Sequence, residues 1–563
     1  MSDSRTLAGR RPNIVWFISD DTSMRMLRYG GSRFLSPHIQ SLGTEGAVFT
    51  RFHCASPICM ASRYQYLTGH YGGACPAEDF RDAFPEGEPY SLHFNTDLDP
   101  SRERTLAHLL QGAGYRTGFV GKWHAGGTAA EKQVLKHELK VEKGEDAHDA
   151  EVGDRLRRQQ EFLCELIRRR GFDDAARVIW GNHELLGTDA RYHNLEWIAN
   201  GALDFIDRAS TGDAPFMIHI APTTMHGPDQ AASLMSDPHL TGAGFSDAHL
   251  DCMPPRRTVF ERIRDAQEVE FNHLTAGALW MDDLVGSVLK RLRDLGLEED
   301  TLVIFSTDHG HVGGKFSIYQ EGVGIPFLMR WTNQIRPGTV CDTLTQNVDF
   351  LPTVLELAGA TPPADMRLDG RSFLPLLMTD GGAAAARDDI FFEFGYTRSV
   401  RTERWKYIAW RLPRRLIDEL REDKEGSLVT HANRWRNGET VKPSAQTASL
   451  ARYPHYFDPD QLYDLENDPE EKENLAGDPA HAETLRQMRE RLRRYLDSFE
   501  RPYPDLDRPD SFFATDDYKH RVGEVRAAIE KEGQLWWKRD AAVSGFRGVL
   551  GNLHDLGELR DVT

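Results

Sequence analysis

The sequence predicts a large α/β protein, with a mostly parallel sheet flanked by helices, followed by a smaller C-terminal α+β domain. Three observations predict this fold: short apolar runs that end in polar residues, helical patterns between those runs, and a change of sequence pattern to short strand-like segments near residue 386. The chain has 563 residues. Because a single hydrophobic core rarely serves a chain of this length, we expect one large domain and a smaller one.

The strands of the main sheet are predicted from short apolar runs at 13–18, 216–221 and 301–305. Such runs are typical of parallel strands that are buried on both faces. Helical patterns such as 105–110 and 274–295 lie between them, as in a sheet built from alternating strands and helices. Ligands of such sheets gather beyond the carboxyl ends of the strands, so the polar residues after each run are the candidates for function.

The predicted catalytic domain covers residues 11–385 and includes a highly charged helical insertion at about 128–200. This insertion is either a solvated surface elaboration or a lid over the substrate. Short strands and an amphipathic helix at about 480–499 predict a small antiparallel-sheet domain over 386–500. The tail, residues 501–563, either contacts a second copy of the chain in a homo-oligomer or packs on its own domain.

Composition restricts the partners of the protein. The net charge is −19, which argues against nucleic acid or an acidic membrane surface as the main partner. The sequence shows no apolar signal segment and no run long enough to span a bilayer, so a cytoplasmic protein is the expectation. The six cysteines are scattered and form neither a metal pattern nor a disulfide framework.

Two pairs of candidate metal ligands follow predicted strands. Asp20 and Asp21 come directly after the first apolar run, and Asp308 and His309 come after a later one. Either pair alone is more often a turn or a helix cap than a metal site. Together, at the ends of two strands, they favour a hard divalent cation bound through oxygen.

Cys59 and Arg63 lie at the start of an apparent helix. Their spacing places both on one helix face, and a helix N-terminus favours developing negative charge. The commoner fate of such a pair is a small buried cysteine with an unrelated surface arginine. A cysteine at this position is nevertheless a candidate nucleophile, because the rest of the chain supplies acidic and basic groups that suit one.

Four further basic residues are candidates for anion binding and proton transfer. Lys122 and His124 are two apart, so an extended backbone points both to the same side. His226 and Lys315 each follow an apolar run in a glycine-containing loop. Each residue alone is more often structural than catalytic. As a set they could bind an oxyanion and donate a proton to a leaving group.

Taken in chain order, these elements resemble the sulfatase family of the alkaline phosphatase superfamily, over roughly residues 11–500 without the insertion. The opening metal motif and the nucleophile signature both have counterparts, and so do the lysine–histidine motif, the histidine after a central strand and the second metal motif with its lysine. The matching residues are Asn13-Ile14-Val15 with Asp20-Asp21, Cys59-Met60-Ala61-Ser62-Arg63, Gly121-Lys122-Trp123-His124, His226, and Thr307-Asp308-His309-Gly310 with Lys315.

The resemblance implies an alkaline phosphatase-like fold and hydrolysis of a small-molecule sulfate ester to an alcohol and inorganic sulfate. It implies that formylglycine-generating enzyme oxidises Cys59 to formylglycine, whose hydrate is the nucleophile. One divalent metal, most often calcium, would be bound by Asp20, Asp21, residue 59, Asp308 and His309.

The resemblance also assigns a role to each basic residue. Arg63 would steady the formylglycine hydrate, and His124 would hold it. Lys122 and Lys315 would bind the sulfate oxygens. His226 would protonate the leaving oxygen.

Two positions depart from the family pattern. Ala61 stands where the family usually has proline, although cysteine-x-alanine-x-arginine variants occur. His309 stands where many sulfatases have asparagine, and an imidazole ligand could admit manganese or zinc as well as calcium. The same aspartate–histidine pair occurs in phosphonate monoester hydrolases. A phosphonate monoester or phosphodiester hydrolase with the same nucleophile is therefore the alternative, and a non-catalytic anion-binding protein on this scaffold is a third interpretation.

Overall fold

The computed structural model describes residues 9–527 apart from 28–33, 94, 187, 249, 267–268, 270–271, 312–313, 378–386, 423–427, 429–433, 436–438, 441–449 and 451. The predicted boundary near residue 386 and the last part of the tail, with Trp536 and Trp537, lie outside the described residues.

The described strands and α-helices are interspersed along the chain. The strands are β1 (Asn13–Ser19), β2 (Ala47–Phe49), β3 (Phe52–His53), β4 (Arg116–Lys122), β5 (Asp174–Ile179), β6 (Phe216–Ala221), β7 (Leu240–Thr241), β8 (Gly244–Phe245), β9 (Thr301–Thr307), β10 (Phe327–Arg330), β11 (Thr339–Cys341), β12 (Thr345–Gln346), β13 (Ile390–Phe394), β14 (Thr397–Arg401), β15 (Trp405–Trp410), β16 (Arg434–Trp435), β17 (Glu439–Thr440) and β18 (Asp460–Asp464). The helices are α1 (Pro37–Thr44), α2 (Cys59–Thr68), α3 (Glu78–Arg81), α4 (Leu106–Gly112), α5 (Ala129–Gln133), α6 (Ala150–Arg168), α7 (Leu195–Ala209), α8 (Gln230–Leu234), α9 (Arg257–Asp265), α10 (His273–Asp294), α11 (Gln320–Val323), α12 (Phe350–Ala358), α13 (Arg414–Glu422) and α14 (Ala482–Leu496).

The main sheet has eight strands in the order β11-β2-β10-β9-β1-β6-β4-β5. Strand β1 lies between β6 and β9 and is parallel to both, with Ile14 opposite Met217 on one side and Leu302 on the other. Only β10 runs antiparallel to its two neighbours in this sheet. The prediction of a large, mostly parallel sheet is therefore confirmed.

Helices cover both faces of this sheet, which explains why β1 is apolar at nearly every position. Ile14 and Trp16 belong to a core that includes residues of α2, α4 and α12. Val15 and Phe17 point to the other side and belong to a core with residues of α1, α7 and α10. Because successive strand residues face opposite sides, each face receives its own apolar set.

The charged segment 128–200 differs from the predicted helical insertion. It contains helix α6, but it also contains β5, which pairs in parallel with β4 and forms an edge of the main sheet. The start of α7 also lies in it, and Ile198 packs in the core beside β1. The strand was missed because its sequence, Asp-Ala-Ala-Arg-Val-Ile, lacks the continuous apolar run of the central strands.

The C-terminal part forms a second, smaller sheet, as predicted. Its four antiparallel strands run in the order β13-β14-β15-β18. Leu485, Met488 and Leu492 of α14 pack against Val400 and Tyr407 of this sheet. The spacing of these helix residues places them on one face, which is how the helix was identified from the sequence.

The described part of the tail packs on its own chain. Phe512, Phe513 and Tyr518 share a core with Trp410 and Ile417. The hydroxyl of Tyr518 donates to the carbonyl oxygen of Phe457 at 2.6 Å. Contact with a second copy stays a prediction. Among the described residues, no helix combines the length and the apolar character needed to cross a bilayer.

A buried glutamate joins the smaller sheet to the helix that begins at Cys59. Glu393 of β13 accepts hydrogen bonds from the backbone N–H of Gly73 at 3.1 Å and from the Gln65 amide at 3.4 Å. Burial raises the pKa of Glu393 from 4.5 to about 7. The protonated Glu393 carboxyl therefore stabilises the folded state. This stabilisation is fully present below pH 4.5 and is lost as the pH rises through 7.

We therefore expect this carboxyl group to lower the free energy of unfolding by about 2–3 kcal/mol between pH 5 and pH 8. Urea unfolding of the wild type and of Glu393→Gln at the two pH values measures this contribution, and the variant should lack it. Glu490→Gln, on an exposed face of α14, is the control and should keep the wild-type pH dependence. Equal pH dependence in the wild type and Glu393→Gln would contradict the prediction.

Candidate active site

Two acidic pairs meet at one edge of the main sheet. Asp20 and Asp21 follow β1, and Asp308 and His309 follow β9. The two strands are paired in register to their last residues, Ser19 and Thr307, so the two pairs emerge side by side. Asp21 has a φ of 53°, and its backbone N–H donates to the Asp308 carboxylate at 3.2 Å. This turn brings the carboxylates of both loops together.

Cys59 is the first residue of α2 and reaches into this cluster. Its Sγ lies 3.1 Å from His309 Nε2 and 3.7 Å from an Asp20 carboxylate oxygen. The helix is fixed by Ser62, whose hydroxyl donates to the Asp308 carbonyl oxygen at 2.5 Å. The Asn347 amide in turn donates to that hydroxyl at 3.0 Å. The position of the thiol is thus set by buried polar contacts at the next turn of the helix.

Four of the five predicted metal ligands form one compact group. Asp20, Asp21, Cys59 and His309 are buried, and each offers a ligand atom within 4.8 Å of the others. The fifth, Asp308, is turned toward Arg63, which donates to its Oδ2 at 3.1 Å. Carboxylate oxygens with one imidazole nitrogen fit a divalent cation, so the residues present suit the metal that the sequence predicted.

The two lysines that were predicted to bind sulfate, together with Arg63, surround the same cluster. The Lys122 ammonium donates to an Asp20 carboxylate oxygen, and the Lys315 ammonium donates to the Asp21 carboxylate at 2.8 and 3.0 Å. Burial by itself would raise the pKa of the Asp20 and Asp21 carboxyls. These ammonium groups and their neighbours outweigh burial and hold both pKa values below the usual range. Arg63 also donates to the Lys122 carbonyl oxygen at 3.1 Å.

Cys59, His124 and His226 are uncharged in this environment. Burial raises the pKa of the Cys59 thiol, and the nearby lysines offset only part of that effect. Burial, helped by Lys315, lowers the pKa of His226 to about 4. Burial likewise lowers the pKa of His124, which lies after β4. At neutral pH these groups are therefore a thiol and two neutral imidazoles.

Three residues that sequence analysis did not select also lie here. The Asn182 amide oxygen accepts a hydrogen bond from Lys122 Nζ at 2.8 Å. His183 Nε2 lies 3.0 Å from the hydroxyl of Thr223, which follows β6. Their position could have identified them, because Asn182 and His183 follow the end of β5 as Asp20 and Asp21 follow β1. The interpretation of 128–200 as a helical insertion does not contain β5 and therefore does not point to these residues.

Two family models match the chain. The model named Sulfatase matches residues 12–360, which is more than half of the sequence and includes every residue of the cluster. The model of the C-terminal region of N-sulphoglucosamine sulphohydrolase matches residues 307–423.

Curated relatives match over most of their own length. Steryl-sulfatase of Mus musculus is 28% identical over 544 residues, which covers 85% of this chain and 81% of the relative. N-acetylgalactosamine-6-sulfatase of Canis lupus familiaris is 26% identical and covers 72% of each chain. Arylsulfatase D of Homo sapiens is 26% identical and covers 70% of this chain and 72% of the relative.

Solved structures show the same fold at lower identity. A protein whose structure was solved in complex with its substrate D-glucosamine-2-N,6-O-disulfate superposes with a TM-score of 0.55 at 17% identity, covering 89% of this chain and all of the other. A sulfatase of Pseudoalteromonas sp. superposes with a TM-score of 0.53 at 16% identity, covering 88% and 92%.

The expectation of a cytoplasmic protein is wrong. It rested on the lack of a recognisable signal or membrane-spanning segment, and neither observation identifies a compartment. Steryl-sulfatase and arylsulfatase D, which match most of the chain, are not cytoplasmic enzymes.

The family model extends over both acidic pairs, the cysteine and the surrounding lysines, and the curated relatives are named sulfatases. The phosphonate hydrolase and binding-protein alternatives are not favoured by these matches. The chain belongs to the sulfatase family and is a sulfuric ester hydrolase that cleaves sulfate esters.

Proposed function

We propose that this sulfatase cleaves its ester with the hydrate of a formylglycine made from Cys59, beside a divalent cation held by Asp20, Asp21, Asp308 and His309. The observation that carries the proposal is the position of Cys59 Sγ, at the N-terminus of α2 and within 4.8 Å of ligand atoms of both acidic loops. A side chain there is next to the cation and to the lysines that would hold the sulfate.

Conversion of the cysteine explains an otherwise unsuitable nucleophile. Burial raises the pKa of the Cys59 thiol, so the unmodified residue is a neutral and weak nucleophile. Oxidation by formylglycine-generating enzyme would replace the thiol with an aldehyde. Its hydrate would supply two hydroxyls on one carbon. One would attack sulfur as the alcohol leaves, and the other would lose its proton as sulfate is expelled and the aldehyde forms again.

The acidic residues would hold the cation, and the oxygen-rich donor set makes calcium our first choice. His309 also suits manganese or zinc. When bound, the cation supplies positive charge that favours a deprotonated hydroxyl and an anionic sulfate. With the cation neutralising the carboxylates, the ammonium groups of Lys122 and Lys315 would bind sulfate oxygens. Both are buried and therefore interact strongly with an anion.

Arg63 and the histidines would complete the reaction. Arg63 is fixed by Asp308 and the Lys122 carbonyl oxygen, which places its charge beside residue 59. His124 would hold the hydrate by hydrogen bonding. His226 Nδ1 lies 3.1 Å from the Gly227 carbonyl oxygen and donates to it, which leaves Nε2 to carry the transferred proton. The negative charge of a bound sulfate ester favours the protonated imidazole and so offsets the lowering of its pKa by burial.

The tryptic peptide from Phe52 to Arg63 tests the conversion directly. We expect its mass to show one thiol replaced by an aldehyde, and fragmentation to place the aldehyde at residue 59. Cys54 lies in the same peptide and serves as the internal control, since it should remain a thiol. A peptide from active enzyme with both thiols intact would contradict the proposed nucleophile.

A further inference from the structure

His183 is a buried histidine beside the catalytic cluster that the reaction described above does not use. Its side chain is only 4% exposed, and it follows β5 at the same sheet edge as the acidic loops. The preceding residue, Asn182, is bonded to Lys122. Burial, followed by the nearby His193, Lys122 and His226, holds the pKa of His183 well below its usual range, so the ring is neutral.

A chain of hydrogen bonds fixes which nitrogen of each ring carries a proton. His193 Nε2 lies 3.0 Å from the His226 carbonyl oxygen and 3.1 Å from that of Pro228. A carbonyl oxygen only accepts, so His193 Nε2 is the donor. Burial lowers the pKa of His193 to about 4. The neutral ring therefore has no proton on Nδ1.

The proton positions of Thr223 and His183 follow from that of His193. The Thr223 hydroxyl lies 2.8 Å from His193 Nδ1 and must donate its only proton there. His183 Nε2, 3.0 Å from the same hydroxyl, must then donate to it. His183 Nδ1 is left as a bare acceptor. Among the described residues it has no hydrogen-bond partner, although it is buried.

A buried acceptor without a donor is costly, and the free energy is recovered when a donor arrives. We propose that His183 Nδ1 accepts a hydrogen bond from a hydroxyl of the substrate alcohol, close to the sulfate ester. His183 is then a specificity-determining residue for hydroxylated sulfate esters. The inference rests on the proposed function, because it takes the sulfate to lie between Lys122 and residue 59.

Two matched aryl esters test the proposal. In 2-hydroxy-5-nitrophenyl sulfate a hydroxyl neighbours the ester, and 3-nitrophenyl sulfate, whose nitro group is also meta to the ester, lacks it. We expect the wild type to prefer the hydroxylated ester, and His183→Gln to lower the ratio of the two kcat/KM values by about 10- to 100-fold. The assay is run below the phenol pKa so that the hydroxyl keeps its proton. The ratio does not depend on how much enzyme carries formylglycine.

Glutamine is the informative replacement, because its amide can still donate to Thr223 while the Nδ1 acceptor is lost. Thr223→Val is a second variant, which frees the His183 tautomer and should lower the ratio less. A ratio unchanged within twofold in His183→Gln would overturn the inference, and equal losses on both esters would assign His183 a structural role. A wild type that hydrolyses both esters equally would overturn this inference but would leave the proposed mechanism intact. A wild type that carries no aldehyde and hydrolyses neither ester would overturn the proposed mechanism as well.

Discussion

Replacing Cys59 with alanine should lower kcat/KM for 4-nitrophenyl sulfate by about 10⁴-fold or more, because it removes the nucleophile and leaves only binding groups. The methyl group of alanine fits the space of the thiol at the first position of α2, so the fold should persist. Steady-state kinetics measure the loss, and thermal unfolding of the same sample shows that the variant is folded.

Cys54→Ala is the matched control. Cys54 is also buried, and its Sγ faces the Gly322 carbonyl oxygen at 3.7 Å, away from the ligand group. This variant should keep both the activity and the aldehyde at residue 59. If Cys59→Ala retains a tenth or more of the wild-type activity, Cys59 is not the source of the nucleophile.

Residues at the ends of apolar central strands were predictable. Asp20 and Asp308 follow β1 and β9, whose continuous apolar runs reveal buried parallel strands, and the topology of such sheets places the following residues together. The turn at Asp21 that aims its carboxylate at the same point could not be predicted. It depends on a hydrogen bond to the Asp308 carboxylate, 287 residues away in sequence.

Residues on the edge of the sheet were not predictable from periodicity. Strand β5 is only partly buried, and its sequence begins with aspartate and includes arginine. It becomes a strand because β4 offers it a parallel partner, and α6 then packs over it. Asn182 and His183 reach the site through this tertiary pairing. The charged composition around them indicated surface helix instead.

The prediction of a cytoplasmic location was wrong for a different reason. Sequence patterns can reveal a leader or an anchor, but their lack does not identify a location. The fold and the reaction depend on residues within the chain, so they were accessible. Location depends on how the cell handles the chain, which the packing of these residues does not record.

Replacing Asp21 with asparagine should weaken binding of the divalent cation by more than about 100-fold, since even loss of an outer partner of a metal ligand costs roughly 10- to 100-fold. The amide keeps the size of the carboxylate but removes a negative charge that faces Cys59 and His309. Lys315 also loses the carboxylate to which it is bonded. Calorimetric titration of the chelator-treated protein with Ca²⁺, Mn²⁺ and Zn²⁺ measures the change and ranks the metals.

Thermal unfolding supplies a readout that does not depend on activity. A cation that binds only the folded state stabilises it by about 2.7 kcal/mol at a concentration 100 times its dissociation constant. The wild type should therefore unfold at a higher temperature when the ion is added, and Asp21→Asn should not respond at the same concentration. The control is Asp146→Asn, since Asp146 belongs to the other group of potential ligands in the described chain, with His148 and Asp189. That group is largely exposed, so its loss should leave the response unchanged. If Asp146→Asn abolishes the response and Asp21→Asn keeps it, the cation binds on the surface and not beside residue 59.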